Sequence, residues 1–145
     1  MRVLFVCMGN TCRSPMLKIM IDDYLAKHGE KQIAVDSAGI LKQCKPISEK
    51  TVKVLEAHGI AFDKNHLSKY CDKSLVHDAD FVICVTEECA QLLKKQYPSS
   101  HSIISLLELI GENIPDPYGK GIAEYEKTYA KLKKALPQIY SYIQK

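Results

Sequence analysis

Short apolar runs alternate with stretches of helical periodicity along the chain. Residues 3–6 and 81–85 form continuous apolar runs, which are typical of strands buried on both faces of a parallel sheet. Two further short strands are predicted at 33–35 and 102–105. A helix signal follows each strand, so the pattern predicts an α/β three-layer sandwich around a central four-stranded parallel sheet with right-handed crossovers.

Capping signals set the predicted helix boundaries. Ser14-Pro15 predicts a first helix with Ser14 as its N-cap, and His28-Gly29 predicts where it ends. Pro137 lies inside the last amphipathic pattern and predicts a kink or break near Leu136. The other predicted elements are helices at 48–58, 86–97, 106–110 and 122–143, a turn at 37–39, a mixed segment of mostly loop or short helix at 61–77 and a loop at 115–119.

Length and composition predict one soluble domain over residues 1–145. Of the 145 residues, 46% are hydrophobic and 26% are charged, which is ordinary for a globular protein. A net charge of +3 gives no strong footprint for nucleic acid, and we expect no nucleic-acid partner. We find no export signal and no apolar stretch of membrane-spanning length, so a cytoplasmic protein without a membrane partner is predicted.

The cysteine pattern indicates thiols rather than disulfides or zinc ligands. Six cysteines are present, and a reducing compartment would keep them reduced. They form no C-x-x-C pair and the histidines are scattered, so no metal site is predicted. Most of them are expected to be small core residues.

A polar segment directly after the first predicted strand carries the strongest chemical motif. It reads Cys7-Met8-Gly9-Asn10-Thr11-Cys12-Arg13-Ser14. Backbone N–H groups in such a strand-to-helix loop can point inward, and the helix N-terminus adds partial positive charge, so the loop predicts an anion cradle. Gly9 permits close approach, and Asn10 tolerates left-handed backbone and can lock the loop. A cysteine at the start of this cradle is favoured as a thiolate nucleophile.

Three residues, Arg13, Ser14 and Asp116, complete a site for phosphoryl transfer to sulfur. Arg2 and Arg13 are the two arginines among 20 basic residues, and a guanidinium at Arg13 can bind two phosphate oxygens at once. Ser14 can donate a hydrogen bond to the leaving thiolate. Asp116, on a rigid loop between two prolines, is the candidate general acid for the leaving group.

These motifs resemble the low-molecular-weight protein tyrosine phosphatase family over essentially the whole chain. The resemblance rests on VLFVCMGNTCRSPM at the start, VDSAG at 35–39, HLSK at 66–69 and DPYG at 116–119. It implies a four-stranded parallel sheet flanked by helices. It also implies a phosphocysteine on Cys7, with Asp116 first protonating the leaving group and later activating water, and no metal or cofactor.

The resemblance assigns roles to residues around the loop as well. A network of Asn10, Ser14, Ser37 and His66 is expected to hold the loop. By resemblance, Cys12 either forms a reversible disulfide with Cys7 or is a packed thiol, and both alternatives stay open. Tyr118 is the candidate wall for the substrate ring. A phosphorylated protein is the expected substrate, and inorganic phosphate the expected product and competitive inhibitor.

The substrate class stays open between phosphotyrosine and phosphoarginine. Thr11 stands where tyrosine-specific members usually carry Ile or Leu, and its hydroxyl could orient a guanidinium. Gly119 follows Tyr118, where tyrosine phosphatases often carry a second aromatic residue, and segment 41–46 offers no obvious aromatic wall. Lys69 replaces a usual Arg. The bacterial protein arginine phosphatases of the family look similar at these positions, although phosphotyrosine is the broader family activity.

Two readings from other classes are also open. An arsenate reductase shares this fold and loop by resemblance and would need Cys84 and Cys89 as a redox relay, although their spacing is shorter than that pattern. A non-catalytic phosphoprotein-binding module would keep the cradle without a general acid. The joint presence of Cys7, Arg13 and Asp116 favours a phosphatase over both.

Overall fold

The computed structural model describes residues 1–144 and contains a parallel sheet between two layers of helices. The strands are β1 (Arg2–Cys7), β2 (Ala34–Gly39), β3 (Phe81–Cys84) and β4 (Ile103–Ser105), in the spatial order β2-β1-β3-β4. The helices are α1 (Arg13–Lys27), α2 (Glu49–Ala57), α3 (Lys73–Asp78), α4 (Glu87–Gln96), α5 (Leu106–Ile110) and α6 (Ile122–Ile143). All three strand pairs are parallel, so the predicted α/β sandwich is confirmed.

The central strand β1 is buried on both faces, which explains its continuous apolar sequence. Val3 and Phe5 pack into one apolar cluster with α1, α2 and α6. Leu4 and Val6 pack into a second cluster with α3 and α4. This alternation places β1 in the middle of the protein, and its carboxyl end opens at one edge of the sheet between β2 and β3.

Several helix starts follow the capping signals of the sequence. The side chain of Ser48 accepts a hydrogen bond from the Thr51 amide at 3.4 Å, and that of Thr86 accepts one from the Cys89 amide at 3.1 Å. Helix α5 occupies the predicted residues, and α3 is a short helix that begins within the segment expected to be mostly loop or short helix. No helix within residues 1–144 is long and apolar enough to cross a membrane.

The prediction that Ser14 is the N-cap of the first helix is wrong. Helix α1 begins at Arg13, and Cys12 occupies the N-cap position without a side-chain capping bond. The Ser14 hydroxyl instead lies 3.0 Å from the sulfur of Cys7. The Ser14 side chain therefore contacts the Cys7 sulfur and does not cap the helix.

The predicted turn at 37–39 is also wrong, because these residues form the second half of β2. Ser37, Ala38 and Gly39 pair with the last three residues of β1. Their small side chains suggested a turn, but small residues are also what fits where a strand runs against a folded loop. The strand begins at Ala34, one residue later than expected.

The expected break at Pro137 does not occur, since α6 is continuous from Ile122 to Ile143. Pro137 cannot donate to the carbonyl of Lys133, but both residues are exposed and water can satisfy that carbonyl. Leu136 and Ile139, on either side, are buried in the first apolar cluster. Packing therefore holds the helix together across the missing hydrogen bond.

Candidate active site

The Cys7 loop (residues 7–14) connects the carboxyl end of β1 to the first turn of α1. Cys7 is the last residue of β1 and is 2% exposed. Its sulfur lies 3.0 Å from the Ser14 Oγ and accepts a hydrogen bond from the Asn10 amide at 3.2 Å. The sulfur is thus placed among donors at the N-terminus of a 15-residue helix.

Opposing effects act on the thiol of Cys7. Burial raises its pKa above the ordinary value. The hydrogen bonds from Ser14, the charge of Arg13 and the amide of Asn10 all lower the pKa, because each stabilises the thiolate. The loop therefore supplies the interactions that a buried thiolate requires.

Asn10 connects the loop to its surroundings. Its φ is 56°, and it is the one residue other than glycine with positive φ in the described part of the chain. Its Nδ2 donates to the Ser14 Oγ at 2.8 Å and to the Ser37 Oγ at 3.0 Å, while its Oδ1 accepts from the Lys69 amide at 3.1 Å. The fully buried amide thus ties α1, β2 and the 66–69 segment to the loop.

His66, which lies between α2 and α3, and Gly39, the last residue of β2, also contact the loop. The Nε2 of His66 lies 2.9 Å from the Asn10 carbonyl oxygen, which accepts its hydrogen bond. At Gly39 a Cβ would lie 2.9 Å from the Met8 carbonyl oxygen and 3.1 Å from the Asn10 Cβ, so only glycine fits there. Ser37 and His66, which the resemblance places in a network with Asn10 and Ser14, are in contact with Asn10.

Arg13 is buried beside the cavity with part of its guanidinium unused. It is 4% exposed, and its Nη1 donates to the Ile114 carbonyl oxygen at 2.9 Å. Its Nη2 lies 3.7 Å from the Oδ2 of Asp116. Its Nε has no hydrogen-bond partner among residues 1–144. A buried N–H without an acceptor is energetically costly. The Nε of Arg13 is therefore a candidate donor to an acceptor atom of a bound ligand.

The Cys7 loop forms the floor of a cavity of about 180 Å³. Besides loop residues 7–13, its lining comprises Leu41, Gln43, Lys45, Asp116 and Tyr118. Asp116 is half exposed, and its Oδ1 accepts from the Tyr118 amide at 3.0 Å, which fixes the turn that carries both residues. Thr11 is 8% exposed, whereas Tyr118 at the mouth is 64% exposed.

Some of the residues around the cavity had no signal in the sequence. Gln43 donates from its Nε2 to the Gly9 carbonyl oxygen at 2.8 Å, and the Ile114 carbonyl oxygen holds Arg13. Tyr125 contacts the sulfur of Cys12 at 3.4 Å. Gln43 and Tyr125 are far from the loop in sequence, and Ile114 acts through its backbone carbonyl. Within residues 1–144, no group of three His, Cys, Asp or Glu side chains is arranged to hold a metal.

Comparison with known proteins defines the class to which this fold and site belong. Residues 2–145 match the family described as low molecular weight phosphotyrosine protein phosphatase. The chain is therefore a phosphatase enzyme of that family, as its resemblance predicted.

Two curated relatives from Bacillus subtilis cover nearly the whole chain. The low molecular weight protein-tyrosine-phosphatase YfkJ is 34% identical, over 99% of this chain and 96% of its own. A protein-arginine-phosphatase is 29% identical, over 100% of this chain and 98% of its own. The similarity thus extends to relatives named for two different substrates.

Solved structures give the same result for the fold. The YwlE arginine phosphatase, as a cysteine-to-serine mutant with a phosphorylated active-site serine, superposes with a TM-score of 0.91 at 29% identity, covering 100% of this chain and 97% of that one. A low molecular weight protein tyrosine phosphatase from T. tengcongensis superposes with a TM-score of 0.89 at 32% identity, covering 97% and 98% of the two chains.

Proposed function

We propose that this phosphatase hydrolyses phosphorylated protein side chains through a phosphocysteine on Cys7. The thiolate forms a bond to phosphorus as the bond to the leaving oxygen or nitrogen breaks, and Asp116 gives that leaving atom a proton. In the second step the Asp116 carboxylate takes a proton from water, which attacks phosphorus. The thiolate of Cys7 leaves, stabilised by Ser14, and inorganic phosphate is released.

The unused Nε of Arg13 is the observation that carries this proposal. Arg13 lines the cavity above Cys7, and its Nη1 and Nη2 already face Ile114 and Asp116. A phosphoryl oxygen in the cavity would provide the acceptor that the buried Nε lacks. The loop amides around the sulfur would hold the remaining oxygens.

The phosphorylated active-site serine of the YwlE mutant agrees with this route. In that protein the residue substituted for the active-site cysteine carries a phosphoryl group. A serine ester in that position is expected if the native cysteine is the group that accepts phosphate. By similarity, we assign the same role to Cys7.

Phosphotyrosine is the first substrate we propose. The tyrosine phosphatase YfkJ is among the most similar curated relatives. Leu41 and Tyr118 line the cavity with exposed fractions of 48% and 64%, and they offer two apolar surfaces to an aromatic ring. Tyr118 would stack on or against that ring.

Phosphoarginine is the second candidate, and Thr11 is the observation that favours it. Thr11 is almost buried and lines the cavity, and we propose that its hydroxyl contacts a polar group of the substrate. The half-exposed carboxylate of Asp116 faces the same cavity and would attract a guanidinium. A protein-arginine-phosphatase is also among the relatives that match the whole chain.

A rate comparison separates the two substrates. We would measure kcat/KM of the parent and of Thr11→Ile on matched phosphotyrosine and phosphoarginine peptides. If Thr11 selects phosphoarginine, the parent prefers that peptide and Thr11→Ile moves the preference toward phosphotyrosine by about tenfold or more. A parent that prefers phosphotyrosine, with a preference unchanged by Thr11→Ile, removes phosphoarginine from the proposal. The control variant is Thr128→Val, on α6. Thr86→Ile is not used because the Thr86 side chain caps α4.

The arsenate reductase reading has less support. Cys84 and Cys89 are fully buried and lie in the second apolar cluster, whereas Cys7 lies in the first. A hydrogen bond with Cys89 and burial raise the pKa of the Cys84 thiol well above its ordinary value, which disfavours the thiolate needed for exchange. Phosphatase activity that survives Cys84→Ala and Cys89→Ala would agree with the phosphatase proposal.

A further inference from the structure

The phenol of Tyr125 touches the Cys7 loop from a distant part of the chain. Tyr125 lies in the first turn of α6, 113 residues after Cys12, and is 2% exposed. Its hydroxyl lies 3.4 Å from the Cys12 sulfur and 3.4 Å from the Ser48 Oγ. The reaction steps above give this buried phenol no role.

The direction of these hydrogen bonds follows from the available donors. The Ser48 hydroxyl donates to the Tyr125 oxygen, and we assign the phenol proton to the contact with the sulfur of Cys12. Burial and the hydrogen bond to Cys12 raise the pKa of Tyr125 to about 12. The phenol thus remains protonated, and remains a donor, throughout the range in which a phosphatase of this kind would act.

The sulfur of Cys12 in turn lies next to the hydroxyl of Thr11. The Thr11 Oγ1 and the Cys12 Sγ are 3.6 Å apart, and the Thr11 carbonyl oxygen accepts a hydrogen bond from the Ser48 amide at 2.9 Å. Thr11 is β-branched, so its hydroxyl has few positions once its backbone is fixed. Tyr125 and Ser48 thus restrain both the backbone of Thr11 and the sulfur beside its hydroxyl.

We propose that Tyr125 is a positioning residue for substrate selection, acting through the sulfur of Cys12 to hold the Thr11 hydroxyl toward the cavity. This inference rests on the proposed function, because it assumes that Thr11 faces the substrate. It gives Cys12 a structural task in the reduced enzyme, separate from any disulfide with Cys7.

Methyl NMR tests the coupling without any assay of activity. The chain contains four threonines, Thr11, Thr51, Thr86 and Thr128, so methyl-labelled threonine gives a spectrum with few signals. Tyr125→Phe removes the hydroxyl and keeps the ring. We expect it to shift the Thr11 methyl signal and to leave that of Thr86 in place.

Tyr129→Phe is the matched control for this measurement. Tyr129 lies one turn further along α6, is 7% exposed, and stacks on His58 with ring centroids 3.8 Å apart. We expect this variant to leave the Thr11 methyl signal unchanged. In a Cys12→Ala background, Tyr125→Phe is expected to produce little further shift, because the sulfur that connects the two residues is gone.

The functional readout is the ratio of kcat/KM on phosphoarginine and phosphotyrosine peptides. Loss of one hydrogen bond predicts a change of about fivefold in this ratio for Tyr125→Phe, with the phosphoarginine rate falling more. Tyr129→Phe should leave the ratio unchanged.

The outcomes separate this inference from the proposed function. A Thr11 methyl signal that stays in place in Tyr125→Phe, or shifts equally in Tyr129→Phe or in the Cys12→Ala background, would overturn the positioning role. Cys7→Ser is assayed in the same series. An active Cys7→Ser would contradict the proposed function, whereas an inactive Cys7→Ser with an unshifted Thr11 signal would contradict only the role of Tyr125.

Discussion

The Oγ of Ser14 lies 3.0 Å from the Sγ of Cys7, at the junction of the central strand and the first helix. Asn10 donates to the same oxygen at 2.8 Å, so the Ser14 proton is left for two acceptors, the sulfur at 3.0 Å and the more distant Ala38 carbonyl oxygen at 3.4 Å. Ser14 is fully buried, so water cannot replace it as a donor. In the proposed mechanism, the serine would therefore stabilise the thiolate before attack and again when phosphate leaves.

Ser14→Ala should slow alkylation of Cys7 at neutral pH. Because Ser14 lowers the pKa of the Cys7 thiol, its removal raises that pKa and moves the rate profile to higher pH. At a fixed pH below the pKa, we expect the rate with iodoacetate to fall by about tenfold. Mass spectrometry of the peptide that carries Cys7 measures the rate separately from the exposed Cys44.

Ser37→Ala is the control for this experiment, since Ser37 bonds Asn10 but not the sulfur. We expect a much smaller shift of its rate profile. Equal profiles for the parent and Ser14→Ala would mean that Ser14 does not stabilise the thiolate.

Asp116→Asn should slow hydrolysis more for poor leaving groups than for good ones. A general acid contributes roughly 10²–10⁴-fold where the leaving group needs a proton, and little where it does not. We therefore expect a loss of about 100-fold in kcat/KM on phenyl phosphate and a much smaller loss on an activated aryl phosphate. Equal losses on both substrates would remove Asp116 from the acid role.

The matched control for Asp116 is Asp63→Asn. Asp63 is exposed and, like Asp116, accepts from the amide two residues further on, at 2.9 Å. It does not line the cavity that contains Cys7. Its substitution should leave both rates near those of the parent.

Gly39→Ala should displace the Cys7 loop, because the added methyl group would be too close to loop atoms. The added Cβ would lie 2.9 Å from the Met8 carbonyl oxygen and 3.2 Å from the Asn10 nitrogen, so the loop must move. We expect a loss of about 1–3 kcal/mol in the free energy of unfolding, together with a fall in kcat/KM. Gly121→Ala, which has open space around the added Cβ, should leave kcat/KM unchanged and, at the N-cap of α6, should lower the free energy of unfolding by less than about 1 kcal/mol. A fully active Gly39→Ala would show that the loop tolerates the displacement.

The fold could be predicted largely from the sequence because its signals are local. The apolar run of β1 is continuous since both faces are buried, and Ser48 and Thr86 begin helices as capping residues do. Prediction failed where tertiary contacts override the local signal. Pro137 remains helical because its neighbours are packed, and Ser14 leaves its capping role for the sulfur.

In the candidate site, too, the contiguous residues could be predicted from the sequence and the long-range contacts could not. Cys7 to Ser14 are contiguous, so one short motif already indicates an anion cradle, and the structure places Asp116 at the same cavity. The partners of Arg13 and Cys12 could not be predicted. Ile114 contributes a backbone carbonyl, which no side-chain pattern reports, and Tyr125 belongs to the apolar stripe of α6, where an aromatic residue indicates only core.

Chemical trapping of the intermediate tests the central proposal most directly. Asp116→Asn is mixed with a good aryl phosphate substrate, quenched within the first turnovers and digested for mass spectrometry, with Cys7→Ser treated in parallel. We predict a phosphoryl group on the sulfur of Cys7, and no turnover by a folded Cys7→Ser. A phosphoryl group on another residue, or continued hydrolysis by Cys7→Ser, would contradict the assignment of Cys7 as the nucleophile.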